Sequence, residues 1–194
     1  MRSDGLQECE KLHIDMRTHM LAMQSAGSHE AVVKHWVAVI NAYVTIFNKL
    51  RAASQGEPKS WAFTNRLKNE MRKDPILAYA YAARGAEEHG IGVGHADLHP
   101  IQFSGPVPSS RMAVNPELKA FSERQGMPLL ITPQSSFLKP VRNKGRWYSP
   151  PSRLPVSTTD NIDNDPSTPI NVAVRVCLKT HHWLEEAKTL PAHM

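Results

Sequence analysis

Apolar residues recur at helical spacing through roughly the first ninety positions and then lose that rhythm. Within residues 5–25, Leu6, Cys9, Leu12, Met16, Met20 and Met23 fall three or four apart, the interval that lines one face of a helix. Gly27 and Ser28 predict the end of that helix and the cap of the next. Over residues 29–53, Val32, Val33, Trp36, Val39, Ile40, Tyr43, Phe47 and Leu50 form the clearest apolar stripe. Gln55-Gly56-Glu57 reads as a turn, and Pro58 suits the first turn of a third helix. Trp61, Thr64, Leu67 and Met71 mark its expected buried side. Asp74-Pro75 pairs a good cap with a good first residue, so a fourth helix is expected from there to about His89, where Gly90 stops it. Short connections make sequential helices antiparallel neighbours, which predicts a four-helix bundle over residues 1–90.

Proline then changes the architecture. Only Pro58 and Pro75 lie before residue 90; the other 13 of the 15 prolines lie after it. Proline is excluded from helix interiors and central strands, so residues 91–194 are expected to be a proline-rich, β-containing region. Gly92 to Phe103 alternates in places like a strand. Met127 to Leu138 is apolar but carries Pro128 and Pro133, which restricts it to an edge. Asn143-Lys144-Gly145 followed by Arg146-Trp147-Tyr148 reads as a hairpin turn entering a strand. Ser149 to Thr168 reads as a long loop. Ile170 to Leu178 alternates like a strand, yet Thr168-Pro169 is a helix start and Trp183 to Leu190 favours helix, so 169–189 is expected to be helical. The fold class is therefore α+β, with a C-terminal helix.

Composition narrows the class of protein. With 41% hydrophobic and 21% charged residues among 194, a real core is expected and wholesale disorder is not. A net charge of +5 is compatible with nucleic acid without arguing for it. Cys9 and Cys177 form neither a disulfide framework nor a cysteine zinc motif. The first twelve residues lack the apolar segment of a secretory signal, and the longest apolar run, Trp36 to Phe47, is too short to span a membrane. A reducing cytoplasm, no membrane association and no cofactor are expected.

Chemistry could reside in three places. The first is Arg84-Gly85-Ala86-Glu87-Glu88-His89, an arginine and a histidine separated by four residues. This resembles the R-x-x-x-x-H motif of the HEPN superfamily of helical domains, many of them RNases and toxin components. The resemblance covers the helical first half. It implies metal-independent RNA cleavage, with His89 handling a proton, Arg84 stabilising phosphoryl charge, and two subunits bringing their motifs together. The plan of a helical half ending in Ala-Arg-x-Ala-x-Glu-His-Gly before a proline-rich half is also similar to that of bacterial proteins of no assigned activity. The plainer alternative pairs Arg84 with Glu87 or Glu88 and leaves His89 complementing the helix dipole. Five helical residues separate Arg84 and His89 by about 140° around the axis. Cleavage therefore needs a last turn loosened at Gly85 or a second subunit.

The second is His95-Ala96-Asp97-Leu98-His99. In an extended strand His95, Asp97 and His99 share one face and could hold a zinc-like ion, with His181 and His182 as further candidate ligands. The alternative is a polar face on an edge strand ending at Pro100. The third is the basic run Lys139, Arg142, Lys144, Arg146 and Arg153, with Trp147 and Tyr148 inside it and no acid. Cations with aromatics can bind phosphates and stack bases; the alternative is a solvated hairpin whose aromatics pack inward. Met16, Met20 and Met23 are expected in the core. No P-loop, dinucleotide glycine fingerprint, G-x-S-x-G elbow or recognisable Cys–His spacing is present. Three functions compete: a HEPN-like endoribonuclease or toxin-type RNA-binding homodimer, a non-catalytic interaction module, and a small metal-dependent hydrolase.

Overall fold

The helical stripes become helices bounded by the caps that the sequence supplies. In the computed structural model, which describes residues 1–88, 99–100, 136–151 and 168–191, α1 runs Ser3–Gln24, α2 His29–Ala53, α3 Pro58–Lys73, α4 Pro75–Glu88 and α5 Pro169–Lys188. The Ser28 hydroxyl accepts the Ala31 amide at 3.2 Å and starts α2. Glu57 caps α3, taking the amides of Lys59 and Ser60 on its carboxylate ahead of Pro58. Asp74 accepts the amides of Ile76 and Leu77 at 2.8 and 3.2 Å and opens α4. Thr168 does the same for α5 through the Asn171 amide. Each cap satisfies amides that a helix start would otherwise leave unpaired.

α1 and α2 are antiparallel, because contacts run from opposite ends: Glu8 meets Lys49, Cys9 reaches the Ile46 carbonyl, and His19 meets His35. α2 carries the centre of the core. Trp36, Val39, Ile40, Tyr43, Ile46 and Leu50 are almost wholly buried along one broad face, and α1, α4 and α5 all pack against α2.

α5 belongs to that same core. Ile170, Val172, Ala173, Val174, Val176, Cys177, Trp183 and Leu184 are buried in one cluster with the residues of α1 to α4. The alternating valines that imitate a strand are one broad, deeply buried helical face. The helical core is thus assembled from both sides of the proline division. Among the described residues no helix is long and apolar enough to cross a membrane.

One helix phase differs from expectation. The buried face of α3 is Ser60, Phe63, Thr64, Leu67 and Met71, and Trp61 is 41% exposed. Trp61 lies about 100° from the centre of that face. The Arg51 guanidinium sits 5.7 Å from its ring centroid, so the indole packs under a cation at the surface.

The strands are short and paired antiparallel. β1 (His99–Pro100) pairs with β2 (Ser136–Phe137), and β3 (Val141–Asn143) pairs with β4 (Arg146–Tyr148). Leu138 and Val141 insert into the helical core and fix the second pair to α4.

Candidate functional site

α4 is regular through Glu88, and Gly85 does not loosen it. Of the two routes to cleavage, a loosened last turn is therefore not the one α4 takes, and Gly85 serves a packing contact instead. A Cβ there would stand 2.3 Å from Asn143 Nδ2 and 2.9 Å from its Cγ. The glycine lets the turn side of β3 press against α4, a close approach that any larger residue would obstruct. Arg84, the preceding residue, is half-buried. His89 lies outside the described residues. The contact at Gly85 therefore brings the Arg84 turn of α4 up to the β3–β4 hairpin, two features far apart in sequence.

The hairpin is built for its turn. Lys144 has φ 48° and Gly145 φ 79°, so both central residues are left-handed, as the tight two-residue turn that matches strand twist requires. Alternation then sorts the side chains. Val141 and Asn143 face inward and are buried, while Arg142 faces out. Arg142 lies directly opposite Trp147, and Trp147 is 66% exposed. Lys144 and Arg146 are exposed at the turn beside them. The aromatic-inward alternative holds for half-buried Tyr148, not for Trp147. Among the described residues no ion pair engages Arg142, Lys144 or Arg146.

The hairpin stem is anchored from below. The Tyr79 hydroxyl, on α4, donates to the Lys139 carbonyl at 2.7 Å. Burial pushes the Tyr79 phenol up, so it stays protonated and remains a donor at any ordinary pH. Lys139 itself is half-buried, its main chain serving as the anchor point. Arg153 lies outside the described residues. A rigid stem that presents an exposed indole among cations can neutralise phosphates and stack a base.

The expected metal triad is not assembled among the described residues. His95 and Asp97 lie outside them, and His99 enters only through its backbone pairing with Phe137. No group of three or more potential ligands forms among the described residues. His181 stacks on His13 with ring centroids 5.5 Å apart.

That stack belongs to a pairing the spacing did not reveal. His13 of α1 and Cys177 of α5 meet across the core: Nε2 is 3.2 Å from the Cys177 carbonyl oxygen and 3.6 Å from its Sγ. The carbonyl can only accept, so Nε2 carries the proton and cannot serve as a base toward the thiol. Burial holds His13 down at about 4 and pushes the Cys177 thiol up to about 12. Neutral imidazole beside neutral thiol is a packing pair and not an activated nucleophile. The clue lay in α1, where His13 follows Cys9 by four and precedes Met16 by three, on the apolar stripe itself.

Compared with protein-family models, curated proteins and solved structures, the chain matches none.

Proposed function

We propose that this protein binds single-stranded RNA on the β3–β4 hairpin, with Arg142, Lys144 and Arg146 neutralising phosphates and Trp147 stacking on a base. The observation that carries this reading is the outward pair Arg142 and Trp147, exposed on a stem fixed to α4 and bordered by exposed Lys144 and Arg146. An exposed indole offers a flat face for stacking, and a nucleobase is a flat partner suited to cationic surroundings. Beneath the hairpin, α1 to α4 are read as an antiparallel four-helix bundle, the scaffold that the HEPN resemblance implies.

Cleavage is the finer step of the same proposal. Arg84 would stabilise phosphoryl charge and His89 would move the proton, with a homodimer bringing one copy's Arg84 to the other's His89. The Gly85–Asn143 contact supports it by setting the Arg84 turn beside the hairpin. The test is incubation of the purified chain with a labelled single-stranded RNA in EDTA. Cleavage that disappears in both Arg84→Ala and His89→Ala supports the enzyme; RNA bound but uncut reduces the proposal to binding.

A protein-interaction module is the second reading. Ile14, Trp61 and Tyr81, exposed at 58%, 41% and 43%, favour it, since scattered large apolar groups can anchor a partner. Sedimentation of the purified chain over a concentration series distinguishes self-association from a monomer.

A further inference from the structure

Away from the hairpin, α1 and α2 bring two imidazoles together. His19 Nδ1 lies 3.1 Å from His35 Nδ1, with ring centroids 5.3 Å apart and planes tilted by 37°. Both rings are half-buried. As a hydrogen bond this contact needs one ring to donate and the other to accept. It has another use. Two nitrogens bound tetrahedrally to one zinc ion at about 2.0–2.1 Å stand about 3.3 Å apart. The two Nδ1 atoms already hold nearly that separation.

We infer that His19 and His35 form a two-histidine site for a borderline divalent cation of the zinc class, bridging α1 and α2. Each imidazole coordinates as the neutral ring through its Nδ1 lone pair, its proton residing on Nε2. The ring that donated in the apo contact changes tautomer through solvent, and no net proton is released. No third histidine, cysteine or carboxylate completes the set among the described residues. Water therefore fills the remaining positions, and the ion exchanges freely. The bound ion joins the C-terminal part of α1 to the N-terminal part of α2, so it stabilises the folded state over the unfolded one.

The test titrates zinc chloride into the full chain near neutral pH and follows binding by calorimetry. Two-dimensional spectra of the histidine side-chain nitrogens are recorded in parallel. One equivalent is expected to bind with its largest nitrogen shifts on His19 and His35. That site is expected to disappear in both His19→Ala and His35→Ala and to persist in His182→Ala. Circular dichroism establishes that each variant is folded. If a variant does not fold, the wild-type spectra decide alone. Zinc shifting other histidines while His19 and His35 stay unmoved overturns the proposal, as does undiminished binding in either folded variant.

Discussion

The seam between α3 and α5 and the hairpin on α4 both present cations, and they treat them in opposite ways. Along the seam Lys179 and Arg66 each find an acid. Glu70 accepts Lys179 at 2.7 Å and the Trp183 indole at 3.1 Å, and Arg66 reaches Glu186 at 2.5 Å. Burial pushes the Glu70 carboxyl up, but the hydrogen bonds from Lys179 and Trp183 outweigh it and leave the group lowered and charged. On the hairpin, Arg142, Lys144 and Arg146 have no such partners among the described residues and stand beside an exposed indole. The seam spends its charge on holding helices together. The hairpin leaves its charge at the surface, where the proposed RNA would meet it.

Substitutions in the two regions and in the core sharpen that contrast. The largest effect is expected in the seam. Trp183→Ala removes a fully buried ring packed 5.9 Å from Tyr43 and strips Glu70 of a donor. It should cost about 3–5 kcal/mol in denaturant unfolding. A cost below about 1 kcal/mol contradicts the placement of α5 in the core.

Acid should weaken the core next. His13 is neutral when folded, held at about 4 by burial, while an unfolded histidine titrates near 6.5. Between those values the unfolded chain binds the extra proton, so stability is full above pH ~6.5 and falls as pH drops toward about 4. The loss is on the order of 3 kcal/mol. Unfolding titrations of His13→Leu should lack that component of the acid slope; an unchanged slope assigns it elsewhere.

A smaller effect is expected at the hairpin's foot. Gly85→Ala gains helix propensity but drives a methyl into Asn143. The overlap is expected to win, for a net cost of roughly 1–2 kcal/mol. Because Asn143 Oδ1 is buried without a hydrogen bond, Asn143→Ala is expected to be mild and to relieve Gly85→Ala when the two are combined. Additive costs in that double mutant would show that the two residues do not touch.

The helices were legible because their signals agree. Ser28, Asp74-Pro75 and Thr168-Pro169 each act as the cap they resemble, and the Trp36–Ile40–Tyr43–Phe47 stripe is buried throughout. Trp61 was misplaced because hydrophobicity ranks it above Ser60 and Phe63, while the helix phase is set by the whole face. The hairpin's turn was legible from Asn143-Lys144-Gly145, whose left-handed requirement is local. Its docking was not, since nothing in the sequence announces that Gly85 and Asn143 will meet. The His13–Cys177 and His19–His35 contacts were hidden for the same reason: each joins two helices, and spacing describes only one.

The hairpin side chains should matter least for stability and most for binding. Truncating exposed Trp147 to alanine should change unfolding by no more than about 0.5 kcal/mol. The decisive measurement is fluorescence anisotropy of a labelled single-stranded RNA titrated with wild type, Trp147→Ala and the triple variant Arg142→Gln, Lys144→Gln, Arg146→Gln. Wild type should bind with a strong salt dependence. Trp147→Ala should lose about 1–3 kcal/mol of affinity, and the triple variant should lose most of both the affinity and the salt slope. RNA bound equally by all three, or by none, contradicts the assignment of the hairpin as the nucleic-acid surface.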